Sequence, residues 1–284
     1  MPDSWETGLV EVGTDAYAYV QEGGGMCVSN AGLIVGPESC IVIDALFAPS
    51  MTQAFQAEIK RVTDKPVRLL VNSHHHIDHT LGSALFPDAQ IVSHVNARAE
   101  LARIGLSPLE RLRTIVPDLV AEAEAEHLEP RLPDITFEGT LTLNLGDREV
   151  KLQHLGRGHT VGDIIVMLPD EGIMYAGDLA FHRVTPLAFE GHIGDWLAVC
   201  YRIADRSPKT IIPGHGPVGD MAEFRKMSGY LTAIRNQAKA SFEEGKSEEQ
   251  TRSEMDIGEY ASWTEPQRLA ANVARLFLEL REEI

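Results

Sequence analysis

Apolar residues in the first third of the chain come in short runs closed by glycine, proline or small polar residues. "AYAYVQ" (16–21), "AGLIVG" (31–36) and "CIVIDAL" (40–46) are rich in β-branched and aromatic residues and read as strands. "PSMTQAFQAEIKRVT" (49–63) places Met51, Phe55, Ile59 and Val62 at helical spacing, and "PVRLLVNS" (66–73) and "AQIVSH" (89–94) return to strand. Strand, helix and strand in that order predict a mixed sheet with helices on its faces. Residues 95–128 read as helices broken near Ser107-Pro108 and at Pro117. A second β-rich set follows, "ITFEG", "LTLNLG", "EVKLQHL", "DIIVMLP" and "GIMYAG", ending with "KTIIPGHG". From about Phe224 apolar residues recur at three and four spacing to the C-terminus. No linker, low-complexity tract or tandem repeat interrupts the chain. The pattern therefore predicts α/β architecture: a layered domain over 1–222, with a C-terminal helical extension over 223–284 packed on it.

Composition narrows the partners. Among 284 residues, 42 are acidic and 25 basic, a formal charge of −17. Such a surface repels phosphate backbones, so no nucleic acid is expected as partner. Cys27, Cys40 and Cys200 are too few, and odd in number, for a disulfide framework, and read as buried thiols in a reducing compartment. The N-terminus, "MPDSWETGLVEV", lacks a basic stretch followed by an apolar one. No apolar run approaches the roughly 20 residues that span a bilayer. The expectation is a cytoplasmic protein with no membrane partner, and the apolar C-terminal helices would suit a homodimer.

The chemistry is concentrated in "VNSHHHIDHTLGS" (71–83). In extended chain, positions two apart point the same way, so His74 and His76 can converge on one point. Asp78 and His79 fall where the chain must turn, and can aim at a neighbouring point. Imidazole nitrogen and carboxylate oxygen suit zinc, iron or manganese. One segment cannot complete two coordination spheres. Three more sites share one grammar of apolar run, glycine and ligand: His159 in "GRGHTVGD", Asp178 in "MYAGDLAF" and His215 in "IIPGHGPVGD". His75 is expected to point away, His94 to pack or hydrogen-bond, and His127 and His154 to be ordinary polar residues.

The ordered set His74-x-His76-x-Asp78-His79, Gly158-His159-Thr160, Gly177-Asp178 and Pro213-Gly214-His215-Gly216 resembles the metallo-β-lactamase superfamily over roughly residues 8–220. The resemblance implies a four-layer αβ/βα sandwich with metals at one edge of two facing sheets. It implies two divalent ions, zinc in the first instance with iron or manganese as alternatives. His74, His76 and His159 would hold one, Asp78, His79 and His215 the other, and Asp178 would bridge them. Asp44 would support the ligand loop from behind. The segment around His159 and Asp178 is also similar to glyoxalase II and the zinc hydrolases of quinoprotein relay systems.

The implied activity is a zinc-dependent hydrolase in which a metal-bridging hydroxide attacks a carbonyl of a small molecule: an ester, lactone, thioester or lactam. Asp78 and Asp178 would be its catalytic carboxylates. An aspartate at 178, where specialised class B β-lactamases usually depart from it, favours the general hydrolase over β-lactam cleavage proper. A diiron redox protein on the same fold is the alternative from another class. The substrate pocket is expected from the loop after Asp178, through Phe181, His182, Arg183, Phe189, His192 and Trp196, with the 95–128 helices as a lid.

Overall fold

The computed structural model describes residues 5–284. Seven strands form one sheet in chain order: β1 (Gly8–Gly13), β2 (Ala16–Val20), β3 (Ala31–Val35), β4 (Cys40–Ile43), β5 (Val67–Val71), β6 (Gln90–His94) and β7 (Ile135–Phe137). The pairs from β1 to β4 are antiparallel and those from β4 to β7 parallel. The second sheet holds β8 (Thr140–Leu145), β9 (Arg148–His154), β10 (Ile164–Leu168), β11 (Ile173–Phe181) and β12 (Thr210–His215), in the order β12-β11-β10-β9-β8. Its one parallel pair, β11 with β12, needs a crossover. Helix α6 (Ile193–Ala204) supplies it.

Alternation along the strands builds the layers. In β10, Ile164, Val166 and Leu168 face the first sheet, where they meet Ile34, Ile41, Ile43, Val71 and Val92. Ile165 and Met167 face the other way, onto helices. Likewise Leu33, Val42 and Leu70 turn outward to Phe55 and Ile59 of α1 (Pro49–Val62). The second sheet is covered by Trp196 and Val199 of α6, Tyr230 and Ile234 of α7 (Met221–Glu243), and Leu276 and Phe277 of α9 (Leu269–Leu280). The result is helix, sheet, sheet, helix, the αβ/βα sandwich that the family resemblance implied. Both faces of each central strand are buried, which is why these strands read as continuous apolar runs rather than alternating ones.

Three differences from the sequence reading bear on the site. The run 40–46 is strand only to Ile43, because Asp44 and Leu46 take left-handed backbone (φ 57° and 66°) and lead the chain off the sheet edge. The region after Asp178 is not one long loop: β11 continues to Phe181 and α6 starts at Ile193. The half-buried hairpin strand β1 carried too weak a pattern to be read. The 95–128 region folds as three helices, α3 (Val95–Ile104), α4 (Pro108–Leu112) and α5 (Pro117–Ala125), broken where the prolines predicted. Leu109, Leu112 and Val120 pack on Phe47, Ile77 and Leu81, beside the histidine-rich loop.

Candidate metal centre

The loop after β5 bends at Ser73, His74 and His75 and returns to extended backbone at His76, whose φ and ψ are −62° and 143°. It then closes a single helical turn, α2 (Ile77–Thr80), carrying Asp78 and His79. The two halves of the motif thus present their ligands differently, as their spacing required. Glycine lets the other two segments approach. A Cβ on Gly177 (φ +51°) would lie 2.5 Å from Ser73 Oγ, and one on Gly214 would lie 1.9 Å from Asp178 Oδ1.

The seven predicted residues meet in space. Ligand-capable atoms of His74, His76, His159 and Asp178 lie within 4.8 Å of one another, as do those of Asp78, His79 and His215. His159 Nε2 stands 2.9 Å from His76 Nδ1 and 3.2 Å from Asp178 Oδ2. The same carboxylate reaches the second group, with Oδ1 3.1 Å from His79 Nε2 and Oδ2 3.6 Å from His215 Nε2. Asp78 Oδ2 is 3.5 Å from His215 Nε2. Asp178 therefore stands between the two clusters.

The outward-facing nitrogens fix the inward-facing ones. Asp44 accepts from Ser73 N (2.7 Å), from Ser73 Oγ (2.7 Å) and from His79 Nδ1 (2.9 Å). Ser73 has a single hydroxyl proton, given to Asp44, so its Oγ accepts from His74 Nδ1 at 3.0 Å. His215 Nδ1 donates to the Val28 carbonyl at 3.0 Å. With those protons directed outward, the Nε2 lone pairs of His74, His79 and His215 face the carboxylates of Asp78 and Asp178. Positive charge must sit among them. His74 Nε2 is buried and has no hydrogen-bond partner, and neither does Asp178 Oδ1. This donor set and these orphaned atoms fit divalent cations.

The electrostatics agree. Burial would lower His79, but the carboxylates of Asp178, Asp44 and Asp78 outweigh it and raise its pKa well above the usual imidazole value. His215 is raised in the same way, with Asp178 and Asp78 overcoming burial. His74 is held well below the usual value by burial, with His79 adding repulsion, and burial lowers His159 to about 3. Without metal, protons on His79 and His215 supply the missing charge. The turn carrying His159 is tied by Asp163, which accepts from Thr160 N (2.7 Å) and Thr160 Oγ1 (2.6 Å). Burial lifts that carboxyl to about 6.

His75, expected to point away, bonds Glu190 through Nε2 at 3.0 Å, and the same Oε2 lies 3.3 Å from His76 Nε2. His94 caps α3 and stacks on His154 with ring centroids 3.9 Å apart. All three cysteines are free and buried. No helix of the described residues is long and apolar enough to cross a membrane.

A cavity of about 390 Å³ opens over the two clusters. Its wall includes Asp78, His159, Asp178 and His215, the lid residues Ile104, Arg111 and Leu112, and Phe189 and Glu190. Of the predicted pocket residues, Phe181 and Phe189 line it. The other four require correction. Strand alternation turns His182 away from the cavity, where Nδ1 donates to the Pro217 carbonyl at 3.0 Å and burial lowers its pKa to about 4. Arg183, at φ 58°, faces Glu223 at 3.8 Å. His192 is consumed as the N-cap of α6, accepting from Asp195 N at 3.0 Å. Trp196 lies in the first turns of α6, facing the sheet, and donates to the Leu179 carbonyl at 3.3 Å.

What holds the cavity loop was missed. Arg268, the N-cap of α9, and Asn272, Arg275 and Glu279 within it make a polar stripe at helical spacing. Each grips backbone of segment 185–194. Arg268 Nη1 donates to Thr185 O, and Asn272 accepts from Ala188 N and donates to Pro186 O. Arg275 bonds the carbonyls of Glu190 and Gly191, and Glu279 accepts from Ile193 N and Gly194 N. The signal was present in "EPQRLAANVARLFLELREEI" as buried-face polar residues four, three and four apart, hidden by the stronger apolar periodicity.

Comparison with known proteins agrees with the geometry. The family description "Metallo-beta-lactamase superfamily" matches residues 24–215, and the chain belongs to that superfamily. Its His/Asp clusters are those of a metal-dependent hydrolase of that family. A metallo-beta-lactamase type 2 of Bacteroides fragilis is 23% identical over 223 residues, 74% of this chain and 80% of the relative. A metallo-beta-lactamase from Pontibacter korlensis superposes with a TM-score of 0.62 at 20% identity, over 80% of this chain and 99% of that one. The inverting sec-alkylsulfatase Pisa1 from Pseudomonas sp. gives a TM-score of 0.72 at 16% identity, over 96% of this chain but 50% of that one. At these identities the superpositions speak to fold alone.

Proposed function

We propose that this protein is a dinuclear zinc hydrolase that cleaves a carbonyl-type bond, an ester, lactone, thioester or lactam, in a small molecule. The observation carrying this reading is the placement of Asp178 between two inward-facing clusters, with the Nδ1 protons of His74, His79 and His215 directed outward. His74, His76 and His159 would hold one ion, Asp78, His79 and His215 the other, and Asp178 would contact both. Bound there, paired divalent cations supply a water ionised near neutral pH and a Lewis acid for a carbonyl oxygen.

The chain's own groups do the rest. Asp44 and Ser73 hold His74 and His79 in the tautomer that leaves Nε2 free. Glu190 and Phe189, which stacks on His76 at 5.1 Å, fix the orientation of that ring. Asp78, with 16% side-chain exposure against 5% for Asp178, is the carboxylate better placed to take a proton at Oδ and return it to a leaving group. The lid from α3 and α4 walls the cavity and limits water.

β-Lactam cleavage is the second reading, favoured by the similarity to the Bacteroides fragilis enzyme. The test is metal analysis together with chromogenic lactam, lactone, thioester and phosphodiester substrates, with Asp178→Ala as the blank. A purified protein that binds no divalent ion, or whose activity survives in Asp178→Ala, would defeat the proposal.

A further inference from the structure

Three of the four histidines between positions 74 and 79 belong to the two metal clusters. The fourth, His75, has a fully buried side chain whose Nε2 meets Glu190 Oε2 at 3.0 Å. Its Nδ1 is buried without a hydrogen-bond partner. An imidazole so placed loses its hydration for a single bond, and that bond is to Glu190.

Glu190 Oε2 also lies 3.3 Å from His76 Nε2. The other nitrogen of that ring, Nδ1, faces inward and stands 2.9 Å from His159 Nε2. His76 is thus reversed relative to His74, His79 and His215, which turn Nε2 inward. A neutral imidazole carries one proton. With that proton on Nε2 and donated to Glu190, Nδ1 keeps a lone pair for an ion. Ligand-capable atoms of His75, His76 and Glu190 also lie within 4.8 Å of one another, as those of a metal site would. The hydrogen-bonded arrangement wins, because His76 cannot ligate at both nitrogens and keep its proton.

Glu190 belongs to the cavity loop, and that loop meets the first cluster repeatedly. Phe189 stacks on His76, 5.1 Å between centroids and 18° between planes. His192 N donates at 3.1 Å to the carbonyl of Gly158, in the turn that carries His159. A Cβ on Gly191 would lie 2.8 Å from the same oxygen, so backbone packs directly on that turn. From the other side α9 holds the loop, with Arg275 Nη2 donating to the Glu190 carbonyl at 2.8 Å.

We propose that Glu190 is a positioning residue that couples the first cluster to residues 185–194, so that an ion held by His74, His76 and His159 and the ordering of this loop strengthen each other. The shared ring is the physical link. An ion at Nδ1 draws electrons from the imidazole and strengthens the Nε2–H bond to the carboxylate, and the carboxylate in turn makes Nδ1 a better donor. Such coupling is reciprocal. It rests on the hydrolase reading only for its effect on turnover, through the cavity wall that the loop forms.

The test uses the full chain, zinc, and the variants Glu190→Ala, Glu190→Gln and His75→Gln. The Glu190 side chain is 33% exposed, so its variants remove bonds rather than core. In competition with a chromogenic chelator, Glu190→Ala should bind one zinc about 10- to 100-fold more weakly than wild type. Glu190→Gln keeps one acceptor oxygen and should lose less, and His75→Gln should fall between wild type and Glu190→Ala. In ¹⁵N-histidine spectra of the zinc-loaded wild type, His76 should show a slowly exchanging Nε2–H that is absent from Glu190→Ala. Zinc should slow hydrogen exchange of the Ala188 and His192 amides in wild type by about the factor by which Glu190→Ala weakens zinc, and not in that variant. Wild-type zinc affinity in Glu190→Ala, or equal loop protection with and without zinc in wild type, overturns the coupling and leaves the hydrolase reading standing. Variants that only melt lower in excess chelator also overturn it. So does a third zinc per chain that is lost in His75→Gln, since the three atoms would then be a metal site. If zinc affinity and loop protection depend on Glu190 while no ester, lactone, thioester or lactam is cleaved, the coupling stands and the hydrolase reading falls.

Discussion

Replacing Asp44 by asparagine removes one charge and almost no volume, so its effect isolates what the carboxylate does. Three donors converge on it: Ser73 N–H on Oδ1, and Ser73 Oγ–H and His79 Nδ1–H on Oδ2. An amide has one acceptor oxygen. If its NH₂ takes the Oδ1 side it meets Ser73 N–H donor to donor at 2.7 Å, leaving that buried group unpaired at a cost of about 1–3 kcal/mol. If the NH₂ takes the Oδ2 side, His79 must accept at Nδ1 and carry its proton on Nε2, where it cannot ligate a cation. Either way the bonds that remain lose charge assistance, which roughly halves their strength. Metal affinity at the Asp78/His79/His215 cluster is expected to fall about 10- to 100-fold, roughly 1.4–2.7 kcal/mol. Competition between the protein and a chromogenic chelator for zinc measures this directly. Thermal unfolding in excess chelator should show the metal-free variant melting several degrees below wild type, at about 2–4 °C per kcal/mol for a chain near this size. An Asp44→Asn protein that binds two ions with wild-type affinity and melts at the wild-type temperature would refute the role given to this carboxylate.

Four further outcomes are expected. Asp178→Ala should reduce turnover of whichever chromogenic substrate is accepted by roughly 100-fold or more and lower the bound metal per chain, read by elemental analysis after gel filtration. Metal binding at the two clusters should differ in pH dependence. His79 and His215, raised by neighbouring carboxylates, must shed protons to bind a cation, whereas His74 and His159, lowered by burial, have none to shed. Affinity at the second cluster should rise with pH, with protons released to an indicator dye in dilute buffer, and equal release by both ions would contradict this. The same shifts set the stability of the metal-free protein. The contribution of His79 and His215 is full below about pH 6.5 and lost as pH rises through their raised values, while that of His74 and His159 is full above about 6.5 and lost as pH falls through their lowered values, about 3 for His159. Asn272→Ala should cost about 1–3 kcal/mol, because Ala188 N–H and the Pro186 carbonyl lose their buried partner, and should raise KM through the loosened 185–194 segment; unchanged denaturant and kinetic curves would show that the stripe on α9 is not a clamp.

The sequence located the candidate ligands and the layered fold because both are written in local terms. Each predicted ligand lies next to a turn that glycine or a strand end imposes, as at Gly177-Asp178 and Gly214-His215, and the doubly buried strands appear as unbroken apolar runs such as "IIVML". The cavity wall was not legible in the same way. His182, Arg183, His192 and Trp196 had suitable chemistry and a suitable place in the chain, but their orientation was decided by the strand phase of β11 and the start of α6. Arg268 and Glu190 reach the centre only because α9 folds back across the segment after β11 and grips its backbone. Which side chain faces a cavity depends on how whole elements dock, and docking energy is spread over many contacts distant in sequence, so no local pattern of residues encodes it.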